Sequence, residues 1–194
     1  MQTNTLTKLI QTIIIAIATF FISPCLASDF RDAEWGMSKE QVKLSEKTFP
    51  LYSNNESITF RGKVANRPVD IIYVFKDNKL TSGIYKFTTN NVNNNVYIND
   101  YNRISESLDL KYGQPEKRNV LWINELYKEK KGYHGNAISM GHLIFESYWN
   151  EENTLILHKL SGNNSMIDHS ISYFDKNFAD QYIEKNERIQ TDGL

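Results

Sequence analysis

The stretch Val69-Asp70-Ile71-Ile72-Tyr73-Val74-Phe75-Lys76-Asp77-Asn78-Lys79-Leu80 decides the fold class. Its first seven residues are β-branched or aromatic at almost every position, as a strand packed on a core requires. Asp77-Asn78 tolerates left-handed backbone, so it closes a tight hairpin. Leu80 to Thr89 then returns as the partner strand. A two-residue loop pairs Phe75 with Leu80, Tyr73 with Ser82 and Ile71 with Ile84. That register puts Ile71, Tyr73, Phe75, Leu80 and Ile84 on one face and turns Tyr85 and Phe87 to the other. The alternative is a bulge at Gly83 that changes the register.

Upstream of this hairpin, Ile58-Thr59-Phe60 is strand-like, and Leu51 to Glu56 is a polar loop. Before them, Trp35-Gly36-Met37-Ser38-Lys39-Glu40-Gln41-Val42 is a helix entry. Ser38 is an N-cap, Gln41 completes a capping box, and Met37 with Val42 forms a hydrophobic staple. Val42, Glu46 and Phe49 share one helix face, with Glu46 interrupting its apolar stripe, and Pro50 stops the helix. Trp35 plugs the edge of the core in this reading.

Downstream, Asn90 to Asn95 reads as a flexible polar loop. A second helix follows from Val96 to Tyr112. Tyr97, Tyr101, Ile104, Leu108 and Tyr112 recur at its period, and Gly113 with Pro115 ends it. Asn119 to Tyr127 is a strand holding Trp122, and Tyr133 to Gly141 is irregular. Strands at His142–Trp149, Thr154–Leu160 and Met166–Phe174, separated by turns, make an antiparallel meander. Phe174, Phe178 and Tyr182 indicate a closing helix. The fold class is therefore α+β, with an antiparallel meander sheet packed by an N-terminal and a central helix and followed by a C-terminal helix.

Residues 1–27 have the layout of a secretory signal peptide. Lys8 supplies the positive region and Ile10 to Ile22 the apolar one, while Cys25-Leu26-Ala27 offers a cleavage site before Ser28. An uncleaved anchor is the competing reading, weakened by Gln11, Thr12, Ser23 and Pro24. Pro24 in front of Cys25 also disfavours a lipoprotein signal. Cleavage would remove the chain's single cysteine, leaving no disulfide, thiolate ligand or cysteine nucleophile. The expected mature domain is residues 28–194. Its element order also allows two helix-plus-strands halves, at about 35–90 and 96–175.

Charged residues make up 23% of the chain with a net charge of −1, so no electrostatic case exists for nucleic acid. Ala137-Ile138-Ser139-Met140-Gly141 has the spacing of a nucleophile elbow, but a strand follows it where a helix is needed. His134, His142, His158 and His169 lack the tight spacing of a metal motif. Glu151-Glu152 reads as a solvated turn. No phosphate-binding glycine motif occurs, and no cofactor is expected.

Trp35-Gly36-Met37-Ser38 with Val42, Lys111-Tyr112-Gly113-Gln114-Pro115, Trp149 and Ile171-Ser172-Tyr173 together resemble small exported bacterial proteins of unassigned function. Gly36 to Val42 is also similar to the helix opening of the outer-membrane-assembly lipoprotein BamE and of beta-lactamase-inhibitor-protein-like domains. The BamE likeness covers about one helix and the following strands, and the chain departs from it in lacking a lipobox and in its longer second half. The resemblance implies a non-enzymatic α+β module that binds other proteins, and it carries over no binding residue.

The expectation is an exported, periplasmic or secreted binding module that recognises a protein or small envelope ligand through a sheet face or edge. Tyr85, Phe87, Tyr133 and Trp149 are its candidate contacts. The rival is an envelope hydrolase or histidine-based metal-binding protein using Ala137–Gly141 and His142.

Overall fold

A computed structural model describes residues 28–179, which form an α+β fold around one antiparallel sheet of eight strands. Helix α1 (Lys39–Ser45) precedes β1 (Tyr52–Ser53), β2 (Ser57–Val64), β3 (Arg67–Lys76) and β4 (Lys79–Phe87). Helix α2 (Asn95–Tyr112) precedes β5 (Lys117–Trp122), a short α3 (His134–Ser139), β6 (Leu143–Asn150), β7 (Thr154–Asn163) and β8 (Met166–Asp175). The strand order is β1-β2-β3-β4-β8-β7-β6-β5. Each half of the chain thus contributes four strands, with α1 in the first and α2 and α3 in the second, and the last strand of each pairs with the other at the centre. The signal-peptide reading and all but the start of the closing helix, at residues 176–179, lie outside the described residues.

Three two-residue turns set the meanders. Ala65-Asn66, Asp77-Asn78 and Asn164-Ser165 all have positive φ at both positions, which matches the twist of the strands they join. Phe75 pairs with Leu80 as expected, but Val74 then pairs with Ser82 and Tyr73 with Gly83. Thr81 is the extra residue, and its hydroxyl donates to the Val74 carbonyl at 3.3 Å. The shift therefore falls at Thr81 and not at Gly83. It turns Tyr85 and Phe87 onto the same face as Ile71 and Tyr73.

Gly83 has a different task. A Cβ there would meet the Phe30 ring at 2.1 Å, so its absence lets Phe30 lie flat on the strand. Phe30 in turn contacts Tyr73, Tyr85 and Tyr173 with ring centroids 4.9 to 5.2 Å apart. Ile58, Phe60, Val69, Ile71, Ile156 and Ile171 continue this core across both halves.

Both arms of the α1 capping box form. Ser38 Oγ accepts from Gln41 N at 3.3 Å, and Gln41 Oε1 accepts from Ser38 N at 2.8 Å. Val42 is fully buried and Met37 packs beside the core. The helix stops at Ser45, short of Pro50, and Phe49 is exposed. Glu46 is no flaw in the stripe. Its carboxylate is nearly buried, takes Arg31 Nε at 2.7 Å, and accepts the Tyr73 hydroxyl. Trp35 Nε1 donates to Thr154 Oγ1 at 2.9 Å and so ties the N-terminal segment to the second half.

On α2, Tyr97, Tyr101, Ile104, Ser105 and Leu108 are the buried residues. The asparagine stretch ahead of it is bonded into the fold. Asn95 donates to the Gly132 carbonyl and accepts from Gly135 N, both at 2.8 Å. Ala137 and Ile138 of α3 pack with Leu143 and Leu160. Helices α1, α2 and α3 therefore touch the face that carries Ile58, Ile71, Ile156 and Leu160. On the opposite face, strand alternation places Ile72, Val74, Ile84, Leu155, Leu157 and Phe174, all half-buried, and the helical turn at residues 176–179 brings the Phe178 ring within 5.1 Å of Lys76 Nζ.

Candidate functional site

Strand β5 closes one side of the sheet, and among the described residues no strand pairs with its outer edge. A strand edge offers unpaired backbone donors and acceptors to any extended chain that meets it. Apolar side chains surround this edge. Val120, Ile123, Leu126 and Tyr133 are each more than half exposed, at 53%, 68%, 61% and 53%. Leu121 and Met140 add to them at 40% and 49%. Strand alternation puts Val120 on the helix-covered face and Leu121 on the other, so the exposed apolar residues flank both sides of the edge.

The patch stands on an ordered base. Tyr127 stacks between Tyr133 and His142, with centroids 5.8 and 6.2 Å away. Trp122 meets the His134 ring edge-on at 5.0 Å. Asn124 Oδ1 caps Leu126 N at 3.0 Å, and His134 Nε2 lies 2.9 Å from the Lys128 carbonyl. The His142 carbonyl accepts Ile123 N at 2.8 Å, extending the β5–β6 ladder into the loop. Lys117, Lys130 and Lys131 flank the apolar residues. At the other side of the sheet, β1 is two residues long, and β2 behind it exposes Arg61 and Lys63. A short, charged edge resists strand addition.

Of the four candidate contacts, Tyr133 lies in this patch. The other three sit on the helix-covered face. Tyr85 packs against Phe30 and Tyr173. Phe87 is buried and stacks on His169 at 4.3 Å. Trp149 is 1% exposed, and its Nε1 donates to the Gly113 carbonyl at 3.0 Å. Phe87 and Trp149 are corrected to core residues. The extra residue at Thr81 turns Phe87 inward, and Trp149 alternates in phase with buried Ser147.

A cleft of about 400 Å³ opens where the N-terminal segment, the end of α2 and the β6–β7 turn meet. Tyr85, Tyr112, Tyr173, Arg31, Glu151 and Glu152 are among its walls. Burial raises the Tyr85 hydroxyl above the usual phenol value and the Tyr173 hydroxyl well above it, so both are neutral hydrogen-bonding groups near neutral pH. Burial alone would lower the Arg31 pKa, but the hydrogen bond and charge of Glu46 outweigh it and hold the guanidinium charged. Ser28, Asp29, Lys111 and Thr154 also line the cleft.

Ser139 is buried, and its Oγ donates to the Asn136 carbonyl of its own helix at 2.9 Å. His142 Nδ1 is buried with no hydrogen-bond partner. The histidines divide into two places. His134 and His142 back the apolar patch, while His158 and His169 face each other inside the core. Among the described residues, no three His, Cys, Asp or Glu side chains converge as a metal site would require.

The chain matches no family model, no curated protein and no solved structure.

The β5 edge carries a sequence signal that pattern reading passed over. Val120-Leu121-Trp122-Ile123 is a run of four apolar residues. A strand alternates its faces, so a one-sided core cannot bury all four. The surplus is what the surface shows.

Proposed function

We propose that this protein is an exported, non-enzymatic binding module whose β5 edge and adjoining apolar patch recognise another protein. The single observation that supports this most is the pairing of an open strand edge with Leu121, Ile123, Leu126 and Tyr133 exposed beside it. An extended partner segment would bond to the β5 backbone and set apolar side chains against the patch. Lys117, Lys130 and Lys131 would favour acidic residues at the margins of that segment.

Export rests on the layout of residues 1–27, and no helix among the described residues is long and apolar enough to cross a membrane. Fractionation followed by N-terminal sequencing checks this part. The expected product is periplasmic or secreted and begins at Ser28. A chain that keeps residues 1–27 in the cytoplasm would overturn it.

Recognition is tested by crosslinking the protein in its native cells, as wild type and as Leu121→Glu/Ile123→Glu. The double variant should fold, because both side chains are exposed, and should lose the captured partner at least tenfold. Equal capture by both would refute the assignment of the surface. If instead the purified protein hydrolyses a panel of esters and Ser139→Ala abolishes that activity, the non-enzymatic reading is wrong.

A further inference from the structure

His158 of β7 and His169 of β8 lie at the bottom of the seam between α2 and the sheet. They are 0% and 3% exposed, and their Nε2 atoms are 2.9 Å apart. The His158 ring is stacked under Tyr101 at 4.1 Å, and its Nδ1 sits 3.0 Å from Ser105 Oγ. His169 stacks on Phe87. We propose that this buried pair is an acid-sensitive latch that holds α2 on the sheet while both rings are neutral and releases it on protonation.

The proton count supports the latch. A bond between two ring nitrogens needs one donor and one acceptor, so the pair shares a single proton along that line. Ser105 matches either arrangement, since its hydroxyl can donate to or accept from His158 Nδ1. A first added proton makes one ring a cation in the core. A second would set two N–H groups and two like charges face to face at 2.9 Å.

The charged groups nearby do not offset this. On the His169 side, Asp100 of α2 is bonded to Arg67 of β3. On the His158 side, Arg118 of β5 is repulsive, and it is paired with Asp109 of α2 at 2.8 Å. Of the remaining neighbours, β4 presents Phe87, β6 presents Ser147, and α2 also presents the Tyr101 hydroxyl, bonded to Ser147 at 2.9 Å. Burial, followed by His169, pushes His158 well below the ordinary imidazole range. Burial likewise lowers His169, to about 4, with Asp100 opposing.

The sign follows from these directions. An unfolded chain takes up protons at both rings as pH falls through about 6.5. The folded chain resists uptake at His169 until about pH 4. Stability is therefore complete above the ordinary value and falls as pH drops below it. For His169 alone, the unfolding constant should rise roughly 20-fold between pH 7 and pH 5.

Denaturant unfolding and amide exchange of the whole protein between pH 7 and pH 5 test the proposal. The unfolding midpoint should fall with pH. After correction for intrinsic rates, protection should be lost over residues 95–112 before it is lost in β3 and β4. His134→Gln/His142→Gln leaves the pair as the only imidazoles of the chain's four and should keep the fall. His158→Gln/His169→Gln should flatten it. An unchanged wild-type midpoint, a fall retained in the second variant, or a fall lost in the first would each overturn the latch. Should the second variant fail to fold, the first still decides.

Discussion

Glu46 shows how one side chain can join distant parts of this chain. It follows α1 and takes a charged donor from fifteen residues upstream and a phenol from the middle of β3. Burial raises the Tyr73 hydroxyl first and the bond to Glu46 raises it further, so Tyr73 stays a donor at any ordinary pH. Glu46→Gln should lower unfolding free energy by roughly 2 kcal/mol, because it turns a charge-assisted contact to Arg31 into a neutral one. Arg31 is about one-third exposed, which keeps the loss below that of a fully buried pair. Gly83 makes a steric demand of similar weight. Gly83→Val should cost about 3 kcal/mol as it displaces Phe30, while Gly132→Val, with nothing within 4 Å, should be close to neutral. Denaturant midpoints of the three variants check both statements. Neither role can be read from sequence neighbours. The partners of Glu46 lie far along the chain, and the ring beneath Gly83 comes from a segment that precedes the first helix.

At the scale of elements, legibility followed locality. The α1 capping box and the Asp77-Asn78 turn depend on residues within four positions of each other, and both form as their residue types demand. The tyrosine stripe of α2 is equally local, and its side chains at 97, 101, 104 and 108 are buried. Ser38→Ala should destabilise by about 1 kcal/mol, read from the same unfolding curves. Elements whose form depends on tertiary neighbours were displaced. Strand β5 begins at Lys117-Arg118, polar residues that an edge position tolerates, and it stops at Trp122. Helix α3 occupies a stretch read as irregular, since its glycines look like breakers. Gly135 permits close approach instead, for a Cβ there would meet the Asn94 backbone at 2.4 Å. The asparagine stretch misled for the same reason. Composition marks it as a loop, whereas Asn94 and Asn95 bond to residues 132–136.

For the whole molecule, the two four-strand halves meet along β4 and β8, and one apolar cluster runs from Ile58 and Phe60 to Trp149 and Ile156. Such a core should unfold as a unit. Phe60→Ala should therefore cost about 3 to 4 kcal/mol and lower the transition seen by probes in both halves together. Separate transitions for the two halves would show that the β4–β8 seam is weaker than its continuous register implies. The sequence pattern led to the α+β class because strand alternation and helix period survive without tertiary knowledge. It did not lead to the proposed recognition surface, because exposure depends on which strand ends the sheet. The order β4-β8 at the centre leaves β5 outermost, and that order is set by pairing between segments about ninety residues apart. The central claim, that the β5 edge binds a protein partner, is tested most directly by photo-crosslinkers placed singly at Leu121, Leu126 and Tyr133 in the cell, with Leu44, Tyr52 and Leu110 as exposed positions elsewhere. A common adduct from the first three and none from the others is the predicted result. An adduct confined to Leu44, Tyr52 or Leu110 would contradict it.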